Sequence, residues 1–141
     1  MYRFIILSLV FLGLYISRRF DQYINPQVWN EDVTQVLTGF FESGFSAFFE
    51  PVNGYLITIP KIISYISYHI SIVYYPEIST LFCLLFCLLV FIAIVYCPTG
   101  LRKKTICAFS IIFVPMDPEV FALPLYSFWW SVILLFLLCL W

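Results

Sequence analysis

Residues 78–101 carry no charged side chain. That run exceeds the ~20 residues a helix needs to cross the hydrocarbon core of a bilayer. Two further uncharged runs, 4–17 and 120–141, frame it. Of the 141 residues, 63% are hydrophobic and 11% charged, against about 25% charged in a soluble domain. Such a surface would not stay wetted, which excludes a soluble enzyme and a disordered regulator. Seven Lys+Arg stand against eight Asp+Glu. No basic field is left for nucleic acid. The expected fold class is an all-α integral membrane protein, a single unit 1–141. About four transmembrane helices fit this length, with amphipathic interfacial helices in a long first external loop.

Arg3 opens the first span, 2–20, and Arg18 and Arg19 close it. Its exit lacks the small-x-small pattern of a cleaved signal peptide, so an uncleaved anchor is expected. The external loop, 21–77, begins with Asp21, Glu31, Asp32, Glu42 and Glu50. Within it Val33, Val36, Leu37, Phe40 and Phe41 recur at i, i+3, i+4, i+7 and i+8, which predicts an apolar helix face over 31–43. Asn30 suits its N-cap, and Glu31 and Asp32 its first turn. Gly44 suits its end, and a short turn, 46–49, runs to Pro51. The helix predicted over 55–75, interrupted by Pro60, Lys61 and His69, fits a span, a broken span or an interfacial helix. The span 78–101 stops at Pro98 and Gly100. Arg102, Lys103 and Lys104 then form a cytoplasmic loop, 102–104, by the positive-inside rule. A short span 105–115, an external loop 116–119 and a last span 120–141 complete the reading. Arg18 and Arg19 fall outside, against the rule. The chain stops inside the apolar run 131–141, so it is expected to be a truncated piece of a longer protein or a small protein derived from one.

The pair Glu31 and Asp32 is the sharpest chemical feature. A carboxylate beside the membrane surface can take a proton from an acceptor hydroxyl. The plainer alternative is two carboxylates complementing a helix dipole. Asp117 and Glu119, between two apolar runs, must face water, a cavity or a partner. Lys61 fits a phosphate contact, a pair with Glu50 or an interfacial lysine. His69 reads as packed or interfacial. Cys83, Cys87, Cys97, Cys107 and Cys139 all lie in or at the ends of apolar runs without a CxxC pair, so neither a metal site nor a disulfide is expected. Glycine-rich phosphate loops, nucleophile elbows and Ser/His/Asp sets do not occur.

The order of segments resembles a known group. Pro26-Gln27-Val28-Trp29-Asn30-Glu31-Asp32 is followed by a Phe-rich helix and by Gly44-Phe45-Ser46-Ala47-Phe48-Phe49-Glu50-Pro51. Gly54-Tyr55-Leu56 and Ile59-Pro60-Lys61 come next, and Pro115-Met116-Asp117-Pro118-Glu119-Val120-Phe121 later, with Trp129 and Trp130 beyond. This pattern is similar to the amino-terminal part of bacterial multispan glycosyltransferases of the GT-C class. The resemblance covers most of this chain and the amino-terminal third or less of such a protein. It implies a multi-pass protein of the bacterial inner membrane, acting in envelope polysaccharide (O-antigen-like) assembly from a polyprenyl-phosphate-linked sugar. It implies that Asp32 or Glu31 serves as catalytic base or as a metal or acceptor contact. Glu119 with Asp117 would complete the site, and a divalent cation would be a possible cofactor. Lys61 stands where arginine is commoner, which weakens a bidentate phosphate contact. A chain of this length is expected to be inactive alone. Two alternatives stand beside this one: a small non-catalytic membrane protein packing its helices against a larger partner, and a membrane-active phage or toxin-type protein.

Overall fold

The apolar runs wind into helices wherever proline and clustered charge leave them free to do so. A computed structural model describes residues 2–113 and 118–140. Among them there is no strand, only an isolated bridge between Val52 and Tyr55. Helix α1 (Tyr2–Ser17) stops earlier than the expected span, where the chain turns at Arg18 and Arg19 into α2 (Phe20–Ile24). Asp32–Leu37 is π-helical and continues into α3 (Thr38–Ser43), followed by a 3₁₀ stretch, Gly44–Phe49. Gly44 breaks the helix at φ 58°, a left-handed value open to glycine. Helix α4 (Thr58–Ile70) admits Pro60 in its first turn, where the missing N–H has no intrahelical partner to lose.

Helix α5 (Tyr75–Tyr96) places Pro76 in its first turn. It ends at Cys97, which is held extended because a residue before proline is excluded from the helical region. Helix α6 (Lys104–Phe113) and a 3₁₀ turn, Pro118–Phe121, lead to α7 (Ser127–Cys139). The last apolar run is therefore not one continuous helix from residue 120. Pro124 lacks an N–H and disfavours helix at Leu123. The 3₁₀ turn and the irregular residues 122–126 together form a strap, 118–126, ahead of α7.

Helices α1, α5, α6 and α7 alternate in direction. The ring of Phe4 near the start of α1 lies 5.7 Å from Tyr96 at the end of α5, and Tyr15 near the end of α1 lies 5.7 Å from Trp130 near the start of α7. Their core stacks Phe11 on Phe91 at 4.2 Å, with Phe109 edge-on to Phe91 at 5.1 Å. A second core joins Val36, Phe40, Ala47, Ile57 and Leu125. Helix α4 doubles back along α5, setting Ile59, Ile62 and Ile66 against Phe82, Leu85 and Leu89. Its 13 residues span about 20 Å, short of a bilayer core. Among the described residues α5, with 22 residues, is the one helix long and apolar enough to cross a membrane; α1, α6 and α7 are shorter apolar helices. Large apolar side chains also cover the outside of the bundle, including Ile6, Leu9, Leu135 and Phe136, each about 60% exposed.

Candidate functional site

Asp32 is the one buried carboxylate among the described residues. It is the first residue of the π-helical stretch, where the Thr38 N–H reaches back to the Val33 carbonyl. The wider turn keeps part of the expected apolar face and adds Asp32 to it. Asp32, Val36, Leu37 and Phe40 turn inward, while Val33 and Phe41 are exposed. Asn30 is itself helical, and its carbonyl accepts the Thr34 hydroxyl at 2.8 Å. Asp32 is therefore no surface carboxylate complementing a helix dipole. It is 1% exposed.

One carboxylate oxygen of Asp32, Oδ1, accepts the Leu125 N–H at 2.8 Å. The other, Oδ2, is buried without a hydrogen-bond partner among the described residues, as are the hydroxyls of Ser67 and Ser127. Burial pushes the Asp32 carboxyl up to about 7; the Leu125 amide opposes the shift and the Glu31 charge adds to it. Tyr75, whose hydroxyl donates to Ser64 Oγ at 3.0 Å, lies within electrostatic reach of Asp32. The arrangement can hold a proton near neutral pH and can exchange it only if the surrounding segments part. Such helix bulges are frequent at functional sites.

Glu31, next in sequence, is half-buried. Glu119 is half-buried in the strap, and its carbonyl accepts the Ala122 and Leu123 amides at 3.2 Å. The strap thus accounts for both acidic regions singled out by sequence: its Leu125 amide holds the Asp32 carboxylate, and its Ala122 and Leu123 amides hold the Glu119 carbonyl. Asp117 lies outside the described residues. Lys61 does not join this group. Its ammonium, buried, donates to the carbonyls of Ala47 and Glu50 at the end of the 3₁₀ stretch. Burial lowers its affinity for a proton, and the Glu50 charge partly restores it. A phosphate here would have to compete with two main-chain acceptors. His69, exposed, donates Nδ1–H to the Tyr65 carbonyl at 2.9 Å and lies tilted against the Tyr65 ring at 4.0 Å.

Sequence reasoning missed what holds the strap. The Tyr23 hydroxyl donates to the Phe121 carbonyl at 2.9 Å and Trp130 Nε1 to the Val120 carbonyl at 3.1 Å. The Arg18 guanidinium sits 4.9 Å above the Phe121 ring. Pro124 was the available signal, since a proline inside an apolar run frees backbone groups that need partners.

A divalent cation does not fit these residues. Among the described residues no three His, Cys, Asp or Glu side chains converge, and the group bonded to Asp32 is an amide N–H, which offers a cation no ligand. The larger clefts, such as one of about 310 Å³ between Tyr55–Pro60 and α7, are lined by other residues. Comparison with protein-family models, curated proteins and solved structures finds no match to this chain.

Proposed function

We propose that the chain is a multi-pass membrane protein that supplies the first-loop unit of a GT-C-type glycosyltransferase, with Asp32 as the loop's proton-accepting carboxylate. The membrane part of this reading is supported by a bundle that is apolar inside and outside; water would not solvate such a surface, and lipid would. The catalytic part rests on one observation: Asp32 combines burial, an unpartnered oxygen and a carboxyl held near neutral pH. General bases are tuned in this way. In the proposed step Asp32 takes the proton of the acceptor hydroxyl as the sugar leaves its lipid phosphate. The strap residue Leu125 must first release the carboxylate.

The test is photo-crosslinking of a polyprenyl-phosphate sugar to the reconstituted chain. Crosslinks should map to residues 21–77, with no transfer by this chain alone. In a longer protein carrying the same Pro-x-x-Trp-x-Glu-Asp segment, the equivalent of D32N should lower transfer about 100- to 10,000-fold. Wild-type transfer by that variant, at normal protein levels, would overturn the assignment. A second reading, a non-catalytic helix-packing membrane protein, is favoured by the Leu125 contact, because Asp32 then serves to tie down an irregular segment. A folded chain that takes up no crosslinker supports that second reading.

A further inference from the structure

The end of the bundle opposite Asp32 gathers cations without acids. Arg102, Lys103 and Lys104 join α5 to α6, and Arg3 precedes Phe4, whose ring packs on Tyr96 at the end of α5. No Asp or Glu occurs between Ile78 and Val114. Lys104 is held in place, its ammonium donating to the Cys97 carbonyl. Arg102 and Lys103 are exposed and make no ion pair among the described residues.

Cys97 is also part of the wall of a groove. Between the ends of α5 and α7 a cleft of about 280 Å³ is lined by Ala93, Tyr96, Cys97, Leu134, Leu137 and Leu138, almost wholly apolar. The lysine that holds the Cys97 carbonyl therefore sits at the rim of an apolar slot, and the exposed cations Arg102 and Lys103 immediately precede it in the chain. Apolar slot and cationic rim complement a molecule with a hydrocarbon chain and an anionic head. Basic residues placed just beyond a membrane helix attract anionic lipid headgroups.

From this juxtaposition we infer that the groove between α5 and α7 binds one acyl chain of an anionic glycerophospholipid, whose phosphate is held by Arg102 and Lys103. The inference rests on the membrane reading above, but not on its catalytic part. Arg102 and Lys103 supply charge, Lys104 fixes the rim, and the groove supplies the contact that a free phosphate would not use.

Native mass spectrometry of the purified chain in detergent tests it, with dioleoyl phosphatidylglycerol and dioleoyl phosphatidylcholine as competing probes. The wild-type chain should retain phosphatidylglycerol preferentially. Each cation near an anionic surface contributes about 5-fold, so R102Q and K103Q should each reduce the preference by that factor. Ala93→Trp, which fills the groove, should reduce retention of both lipids while leaving the helical circular dichroism unchanged. Equal retention of both lipids by the wild type, an unchanged preference in R102Q/K103Q, or displacement of the lipid by inorganic phosphate alone would each overturn the inference. Alkaline carbonate extraction of the same variants separates the two readings: a chain that stays in the membrane and shows no lipid preference refutes the lipid site alone, whereas a chain that washes off refutes the membrane reading beneath it.

Discussion

At the scale of single residues, Asp32 and Lys61 are both ionisable groups taken out of water, and each has a main-chain partner. Replacing Asp32 with Ala leaves the Leu125 N–H buried and unmatched, which should cost about 1–3 kcal/mol. Asn retains an acceptor oxygen and should cost less, so the order in thermal unfolding is wild type, D32N, then D32A. The pH dependence follows from the raised carboxyl. In the unfolded chain Asp32 ionises near pH ~4, whereas in the fold it holds its proton to about 7. Across that interval the folded state binds a proton that the unfolded state has lost, so stability should fall as pH rises from about 4 to about 7. D32N should flatten that slope in detergent melts, and an equally steep slope in D32N would place the titration elsewhere. Lys61→Met removes a donor from both carbonyls, leaving Ala47 O with the Glu50 N–H and Glu50 O without its lysine. A loss of about 1–3 kcal/mol is expected in chemical unfolding.

At the scale of elements, the uncharged runs marked the helices, because side-chain composition decides what a long apolar segment can do. The ends of α5 were legible in part: Pro98 stops it near where the sequence implied. The span expected over 120–141 was less legible. Pro124 divides it, and the strap ahead of α7 packs Phe121, Ala122 and Leu123 into the interior. Apolar composition alone does not distinguish a buried irregular segment from a helix. Of the face expected over 31–43, Val36, Leu37 and Phe40 turn inward as read, whereas Val33 and Phe41 do not, for a related reason. A 3.6-residue period is assumed in reading it, and one π-helical turn shifts the residues that follow. The burial of Asp32 depended on that turn and on a partner far along the chain, so no local pattern carried it. The strap makes its own prediction. Tyr23→Phe removes the donor to the Phe121 carbonyl and should lower stability by about 1 kcal/mol. Limited proteolysis should then cut within 118–126 sooner than in the wild type.

At the scale of the whole molecule, charge is divided between the two ends of the bundle. Arg3, Arg102, Lys103 and Lys104 lie at one end. The seven described acids lie in the connection from α1 to α5, at the start of α5 or in the strap. Arg18 and Arg19, which ran against the positive-inside rule, are engaged locally: Arg19 bonds Asp21 at 3.0 Å and Arg18 covers Phe121. In the proposed orientation the cationic end faces the cytoplasm. The short helices α1, α6 and α7 then require a locally thinned bilayer or packed neighbours. The measurement that tests this account most directly is accessibility to an impermeant thiol reagent in intact cells, with single cysteines in a background cleared of the native five. A cysteine at Gln27 should be labelled and one at Lys103 should not. Labelling at Lys103 with protection at Gln27 would contradict the account, because it would put Asp32 on the cytoplasmic side, away from a lipid-linked sugar presented outside.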